Sequence, residues 1–421
     1  MSSAVTQFYR QKPRLPLSNV RVTDLTMFWV GPFSTMFLAN MGAQVIKIES
    51  AKRFDSVRIM GGARDKDPLE WATVFNGTNV NKLGITLDLD SDEGREMLKR
   101  FIAVSDVVSE NFSARVGKNL GITWDFVHKA NPSAIMVSMP GFGHGGPWEN
   151  YVGFGPQFEQ ASGITYMSGY PDTTPMMQGG MSDPLAGSFG AVATMMALEH
   201  RRVTGRGQYI DMSSAEAISH MTSATLMDYT MSGRVRERMA NKHPAWSPHG
   251  AFRSKGEDKW VAIVCKTDEE FAILCEAMGM PRLKDDPRFA DVISRWDNQD
   301  ALGEIITGWT KERTGAEVMD LLQPKGVMAA DVVDYTTVLQ DPQLKARDFW
   351  WWILRPVNGP EPMPYYGFPP KLSKTPASPR KAPPTIGEDN DFVFSEILNL
   401  SPAEMRGLKE RNIIGTTVKF G

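Results

Sequence analysis

Cysteine is scarce in this sequence, and neither sign of charge is in clear excess. Only Cys265 and Cys275 occur among 421 residues, and the nine residues between them match no metal-binding motif. We interpret both as core or surface thiols in a chain suited to a reducing compartment. The formal net charge of −3 supplies no field that would hold a polyphosphate backbone, so nucleic acid is not an expected partner.

Long hydrophobic runs are also missing. The first sixteen residues are polar and interrupted by proline, and no run reaches the roughly 18 apolar residues that a membrane span needs. We therefore expect no membrane association and a cytoplasmic protein. With 42% hydrophobic and 23% charged residues over this length, the composition excludes a wholly disordered chain and predicts two globular domains.

The N-terminal part of the chain predicts a βαβ unit. Residues 19–25 have the pattern of a strand, residues 33–41 have helical spacing, and residues 43–48 form a second short apolar run. Pro32 stands where the helix begins, a position that suits proline. The crossover implies a parallel, Rossmann-like sheet, although the dinucleotide fingerprint G-x-G-x-x-G is absent. Residues 79–112 extend this α/β pattern by a strand, a helix and a strand.

One carboxylate, Asp183, lies among small and flexible residues rather than among charges. Gly179 and Gly180 precede it and two more glycines follow within seven residues, so the backbone can approach a ligand closely. The apolar spacing predicts a helix from about residue 185 to Arg201, which places Asp183 at or near the helix N-terminus. Such a terminus favours the ionised carboxylate, which is a potential nucleophile. The alternative is an ordinary N-cap residue.

The segment around Asp183 resembles the active-site signature of the family III CoA-transferases. It reads GG-x-x-D-x-x-x-G, then a helix ending in ALEHR, then TGRGQ. Further segments resemble the same family in order and spacing: the opening with DLT, GP, MGA and VIKIE, the N-x-NK-x-x-I-x-LDL and ENF elements, and the glycine loop GFG-x-GGP. The resemblance runs from about residue 17 to residue 414. It implies an enzyme that moves CoA from an acyl-CoA to a small carboxylic acid, with the thioester as substrate and with neither a metal nor a redox cofactor.

The resemblance also implies a mechanism. In that family the Asp of this segment attacks the acyl-CoA thioester, so Asp183 is the expected nucleophile. An acyl–aspartyl anhydride and then an aspartyl-CoA thioester would split the transfer into steps of similar energy. Succinyl-CoA is one candidate donor, but the shared motifs do not choose among the acids that the family handles.

The CoA-binding residues follow from the same motifs. Lys82, Asn111 and Phe112 stand where family members contact the nucleotide half of CoA. Phe28 and Trp29 precede GP in the first β–α turn, and turns at the carboxyl ends of strands are where α/β sheets bind ligands, so we expect both near the pantetheine.

Basic side chains suit the CoA phosphates because their hydrogen bonds to phosphate are charge-assisted. Lys52 and Arg53, which follow KIE, are candidates for this role, and so are Arg115 and Lys118. The sequence does not choose among them. His144 lies in the glycine loop and receives no assignment.

Two other functions are weighed against CoA transfer. A 2-methylacyl-CoA racemase on the same fold would need a His about thirty residues before the Asp, but Phe154 stands there and an apolar ring cannot transfer a proton. A noncatalytic CoA-binding subunit paired with an active homologue is the second alternative, and the presence of Asp183 argues against it.

The domain organisation is predicted from composition and from the resemblance. Residues 1–225 and 340–421 would form a large α/β domain that binds CoA, and residues 226–339 would form a smaller α+β domain between them. In this family two chains interlock, so we expect an interlocked homodimer or a heteromer with a homologous subunit.

Overall fold

The computed structural model describes residues 15–60 and 68–418, which form two compact units. The first unit comprises residues up to Thr165, the segment Met177–Val235 and the chain from Lys345 onward; the second comprises Tyr166–Met176 and Arg236–Leu344. The predicted domain bounds include Tyr166–Met176 in the larger domain, whereas in the structure this segment is part of the second unit. There Arg238 donates hydrogen bonds to the backbone carbonyls of Tyr166 and Tyr170.

Eleven strands occur in the described part of the chain. In chain order they are β1 (Arg21–Asp24), β2 (Gln44–Glu49), β3 (Leu83–Thr86), β4 (Val107–Glu110), β5 (Ile135–Ser138), β6 (Tyr209–Asp211), β7 (His249–Arg253), β8 (Trp260–Val264), β9 (Met328–Val332), β10 (Trp350–Ile353) and β11 (Met363–Tyr366).

The α-helices of the described residues are numbered in the same way. They are α1 (Val30–Asn40), α2 (Thr73–Thr78), α3 (Asp92–Ala103), α4 (Ala114–Asn119), α5 (Trp124–Ala130), α6 (Gly155–Ala161), α7 (Ser182–Thr204), α8 (Ser214–Ser219), α9 (Ser223–Ser232), α10 (Asp268–Ala277), α11 (Val292–Asp297), α12 (Gln299–Thr310), α13 (Gly315–Leu322), α14 (Tyr335–Gln340), α15 (Pro342–Ala346), α16 (Asn390–Phe392) and α17 (Pro402–Glu410).

The first unit is built on a six-stranded parallel sheet in the order β3-β2-β1-β4-β5-β6. This confirms the predicted βαβ start and the parallel α/β sheet. Strand β1 pairs with β2 on one side and with β4 on the other, so Val22 lies opposite both Val45 and Val107. The strand order reverses between β1 and β4. Open α/β sheets bind ligands in the crevice that such a reversal creates at the carboxyl ends of the strands.

Alternation along the strands separates two apolar cores, one on each face of the sheet. Val45 belongs to the core that contains Leu38 of α1, whereas its neighbour Ile46 belongs to the core that contains Phe101 of α3 and Phe394. Successive strand side chains point to opposite faces, so short runs of Val and Ile supply both cores. Both faces are therefore covered, as parallel sheets require.

The second unit has a three-stranded antiparallel sheet in the order β7-β8-β9. Strands β7 and β8 form a hairpin around residues 254–259, and helices α10 and α12 follow them along the chain. Cys265 and Cys275 are both buried free thiols in the core of this unit, and burial raises their pKa values to about 12 and about 11.

Candidate active site

Helix α7 carries Asp183 as its second residue. The N-cap is Met181, which makes no side-chain cap hydrogen bond, and the C-cap is Gly205, which adopts φ of 72°. Asp183 therefore lies at the predicted helix start, but the N-cap alternative does not hold. Among the described residues none forms a hydrogen bond with its carboxylate, which leaves both oxygens open for chemistry.

The glycines that follow Asp183 serve helix packing rather than a ligand. A Cβ on Gly187 would lie 2.5 Å from the carbonyl oxygen of Val30, and one on Gly190 would lie 2.6 Å from Sδ of Met139. A Cβ atom cannot approach another heavy atom this closely without a clash. The two glycines therefore let α7 pack directly on α1 and β5, and this contact holds the first turn of α7 in place.

A cavity of about 210 Å³ lies beside the start of α7, within the first unit. The structure brings together five of the residues expected at the site, because Asp183, Phe28, Trp29, Asn111 and Phe112 all line this cavity. Its remaining walls are mostly apolar and come from Met27, Val30, Ser113, Val116, Met139, Gly141, Tyr151, Val152, Gly153, Phe154, Gly155, Phe158 and Ser214.

The turn between β1 and α1 is held in a strained conformation. Phe28 has φ of 63°, a region that non-glycine residues rarely occupy, and its N–H donates to Oδ1 of Asp55 at 2.9 Å. The side chain of Asn111 accepts from the N–H of Met27 at 2.7 Å and donates to the Met27 carbonyl at 2.8 Å. Asn111 thus shapes the turn that presents Phe28 to the cavity.

Lys82 does not reach the cavity. Its side chain is fully buried, and Nζ donates to Oδ2 of Asp24 at 3.1 Å, to the carbonyl of Pro32 at 3.0 Å and to Oγ1 of Thr35 at 2.8 Å. All three ammonium donors are used inside the protein. Burial opposes ionisation of Asp24, but Lys82 and Lys47 outweigh it and hold the pKa of Asp24 below its usual value. The structure thus assigns Lys82 an internal ion pair in place of the expected contact with CoA.

Lys52 and Arg53 lie in the loop after β2 and do not line the cavity. Lys52 pairs with Asp88 at 2.5 Å and Arg53 pairs with Asp90 at 3.4 Å, and the side chain of Lys52 is half exposed while that of Arg53 is largely exposed. A phosphate can reach either side chain, but to bind the phosphate the side chain would have to leave its acidic partner.

The protonation of Asp183 differs from the expectation of a carboxylate stabilised by the helix terminus. Burial, followed by the negative charge of Glu159, raises the pKa of Asp183 to about 6. Removing the carboxylate from water and placing a like charge nearby both oppose ionisation, and here they outweigh the helix dipole. At pH 7 the group is still mainly ionised.

Glu159, on α6, acts electrostatically on Asp183 and was not predicted from the sequence. It is buried, and its carboxylate accepts from the backbone N–H groups of Gln178 at 3.2 Å, Gly180 at 3.2 Å and Ser182 at 3.4 Å. The sequence around it, FEQASG, contains no recognisable signal. The contacts join segments about twenty residues apart, so only the fold shows them.

Gly155, at the start of α6, was also missed. A Cβ there would lie 2.6 Å from Oγ of Ser182 and 3.1 Å from Oδ1 of Asp183. The absence of a side chain lets α6 begin directly against the Asp183 carboxylate. Next to it, the ring of Phe154 packs edge-on against that of Phe28, with the centroids 4.9 Å apart.

A second cavity of about 280 Å³ lies on the other side of Phe112. Oγ of Ser138 is hydrogen-bonded to the carboxyl of Glu110 and lies 2.8 Å from Nε2 of His144. Burial raises the pKa of Glu110 to about 7, and this carboxyl accepts the Phe112 N–H at 2.8 Å. His144 is therefore part of this polar cluster and does not line the cavity that contains Asp183.

The arrangement suits attack by a carboxylate in a largely apolar cavity. In the part of the chain that the structure describes, no three His, Cys, Asp or Glu side chains are grouped so as to hold a metal ion. None of the described helices combines the length and apolar content that a bilayer crossing needs.

Comparison with known proteins identifies the relatives of this chain. A model described as CoA-transferase family III matches residues 17–390. A succinyl-CoA–D-citramalate CoA-transferase of Chloroflexus aurantiacus is 33% identical over 96% of this chain and 99% of its own length. The beta subunit of a succinyl-CoA–L-malate CoA-transferase of the same organism is 34% identical over 95% of this chain and 98% of its own length.

Solved structures agree with these matches. The crystal structure of a CaiB/BaiF family protein from Brucella suis superposes with a TM-score of 0.83 at 30% identity, covering 91% of this chain and all of the other. The family match and the relatives extend over nearly the whole chain, and the cavity beside Asp183 lies within the matched region. The chain therefore belongs to the family III CoA-transferases and is an enzyme that transfers CoA.

Proposed function

We propose that this enzyme transfers CoA from an acyl-CoA donor to a carboxylic acid, with Asp183 as the nucleophile. One observation carries the proposal: Asp183 is the only acidic side chain among the described residues that line the cavity formed by Phe28, Trp29, Asn111 and Phe112. With a pKa of about 6, it is both ionised at neutral pH and more basic than an ordinary aspartate. Both properties favour nucleophilic attack.

The exchange consists of four successive displacements at a carbonyl carbon. The Asp183 carboxylate attacks the thioester carbonyl and expels CoA thiolate, which leaves an acyl–aspartyl anhydride. The thiolate attacks the aspartyl carbonyl, so that the donor carboxylate departs and an aspartyl-CoA thioester remains. The acceptor carboxylate then displaces the thiolate to form a second anhydride. The thiolate attacks the acceptor carbonyl, which releases the new acyl-CoA and regenerates Asp183.

Phe28, Trp29, Asn111 and Phe112 form the proposed path of CoA to the nucleophile. Their position on the cavity wall supports this assignment. For the phosphates we retain Lys52 and Arg53 as candidates, since both are exposed. Lys82 is left out of the binding set because its ammonium is enclosed.

Succinyl-CoA is the proposed donor and a short hydroxy- or dicarboxylic acid is the proposed acceptor. The activities for which the two relatives from Chloroflexus aurantiacus are named support this choice. A racemase is less well supported, because Phe154, at the position where such an enzyme would need a proton-transferring His, lines the cavity. The noncatalytic alternative is disfavoured by the open carboxylate of Asp183.

The proposed assembly is an interlocked pair of chains, either two copies of this one or this chain with a homologous subunit. Relatives that are named as alpha and beta subunits of one transferase support the second possibility. A group of exposed apolar side chains on α7 and α9 supports a partner in both cases.

Asp183→Asn tests the nucleophile. The amide keeps the shape of the side chain but cannot form an anhydride, so incorporation of labelled succinate into succinyl-CoA should fall by at least about 1000-fold. Binding of CoA, measured by calorimetry, should change little. In the wild-type enzyme, hydroxylamine added after succinyl-CoA should convert Asp183 alone to a hydroxamate. An active Asn variant, or a modification mapped to another residue, would refute the assignment.

A further inference from the structure

The turn before Asp183 is built around a buried carboxylate. Gly179 and Gly180 have φ of 74° and 110°, which side chains rarely allow, and this conformation directs the N–H groups of residues 178, 180 and 182 towards Glu159. Gly180 also packs against the ring of Trp29, since a Cβ there would lie 2.8 Å from Cζ3. The same turn therefore connects Glu159, the nucleophile and the cavity wall.

Glu159 is unusual because its buried carboxylate has backbone partners and, among the described residues, no ion pair with a Lys, Arg or His. A buried carboxylate of this kind normally has a cation beside it. Its charge instead acts on Asp183, the adjoining acid. This arrangement opposes ionisation of Asp183, which points to a role in the reaction rather than in stability alone.

Other charged groups near the start of α7 do not have the same effect. The elements packed against α7 are α1, α6, α8 and β5. Helix α1 and strand β5 carry no charged residue, and Glu216 of α8 is exposed. His220, which follows α8, stacks on Phe189 further along α7. Glu159 is thus the charged group in these elements that is buried beside the nucleophile.

We infer that Glu159 is a positioning residue for Asp183: it holds the turn that precedes the nucleophile and places a second negative charge close to it. The inference rests on the proposed function, in which the Asp183 carboxylate attacks a thioester. The turn fixes where the carboxylate stands, and the neighbouring charge keeps that carboxylate basic, so that its attack on a carbonyl is faster. A small displacement of a reacting group costs on the order of 100-fold in rate.

Two substitutions separate the two roles. Glu159→Gln keeps the length of the side chain and removes its charge, whereas Glu159→Asp keeps the charge and shortens the reach to the turn. In the full-length enzyme, the pH profile of kcat/KM for succinyl-CoA exchange with labelled succinate should have an acid limb near pH 6. Glu159→Gln should move that limb to lower pH. Glu159→Asp should leave the limb in place, and both variants should lower kcat by about 10- to 100-fold.

Glu404→Gln is the matched control. Glu404 also accepts a backbone N–H, from Ser401 at 2.7 Å, but it lies at the start of α17 and does not line the cavity. Its substitution should change neither the limb nor kcat. An acid limb that stays at its wild-type pH in folded Glu159→Gln would overturn the electrostatic role. A wild-type kcat in Glu159→Asp would overturn the positional role. If circular dichroism shows that Glu159→Gln is unfolded, the kcat of Glu159→Asp still tests the positional role.

A titration that needs no turnover distinguishes failure of this inference from failure of the proposed function. The 13C chemical shift of the Asp183 carboxyl is measured against pH in protein labelled at aspartate. Its resonance is identified as the one that disappears in Asp183→Asn. We expect a lower midpoint in Glu159→Gln than in the wild type. If the wild-type enzyme exchanges no succinate, the proposed function fails while the midpoints still decide the influence of Glu159. Equal midpoints would refute that influence even in an active enzyme.

Discussion

At the scale of single residues, the site depends on a carboxylate that the fold makes more difficult to ionise. The pKa of Asp183 is about 6 because burial and Glu159 both disfavour its charge. An acid whose pKa is raised by folding binds its proton more tightly in the folded state than in the unfolded state. Its contribution to stability is therefore lost as the pH rises from the ordinary aspartate value towards 6, and above pH 6 the charged group destabilises the fold.

Asp183→Asn should consequently stabilise the protein at neutral pH. The shift from 3.8 to about 6 corresponds to an upper limit of about 3 kcal/mol, and partial exposure of the side chain reduces the expected gain to roughly 1–2 kcal/mol. Urea unfolding measured at pH 7.5 and at pH 5 should show the larger gain at pH 7.5. Asp172→Asn, the same change at an exposed position, should alter the free energy of unfolding by less than about 0.5 kcal/mol. A gain for Asp183→Asn that did not depend on pH would contradict this account.

At the scale of elements, an ion pair joins the end of β1 to the residue before β3. Lys82 and Asp24 are both fully buried, and Thr35 of α1 bonds to each of them. The pair therefore ties two strands and the first helix together beneath the turn that carries Phe28. It acts on the site through the fold and not through contact with a ligand.

Lys82→Met should therefore reduce stability rather than affinity. It leaves the Asp24 carboxylate buried without its closest cation, which should lower the free energy of unfolding by about 3 kcal/mol. Lys99→Met is the comparison, because Lys99 forms an exposed pair with Glu96 at 3.7 Å and its loss should cost less than about 0.5 kcal/mol. The Kd of the folded variant for acyl-CoA, measured by calorimetry, should stay within about threefold of the wild-type value. A large loss of affinity for acyl-CoA with unchanged stability would instead support the contact between Lys82 and CoA that the motif implied.

At the scale of the whole molecule, the exposed apolar side chains of α7 and α9 bear on assembly. Phe189, Val192 and Met196 of α7 and Leu226 and Met231 of α9 are each at least 40% exposed, and we call these five the apolar face. Exposed apolar side chains, where they gather in patches, mark sites that bind another protein. A second chain that covers it would remove this apolar area from solvent.

The proposed dimer predicts a light-scattering mass of about twice 46.8 kDa at micromolar concentration. Met196→Glu combined with Leu226→Glu should shift the mass towards that of one chain, because burying two carboxylates in an apolar interface is costly. Val104→Glu changes an exposed apolar residue outside the apolar face and should leave the mass unchanged. A monomeric wild-type mass would rule out the interlocked pair.

The sequence by itself determined the features that depend on neighbouring residues. The parallel α/β start, helix α7 with its glycine stop, and the position of Asp183 in the first turn all follow from spacing within a few residues. Phe28 and Trp29 follow β1, and Asn111 and Phe112 follow β4. All four line one cavity because both strands end at the same edge of the sheet, while their contact with CoA stays a prediction.

Only the tertiary structure decided what depends on residues distant in the chain. Lys82 pairs with an aspartate 58 positions away, and Glu159 binds a turn about twenty positions ahead of it. Neither contact leaves a local pattern, because hydrogen bonds and charges act across space once folding has brought the groups together. The protonation of Asp183 belongs to the same class, since burial and a neighbouring charge, which no spacing of residues encodes, set its pKa.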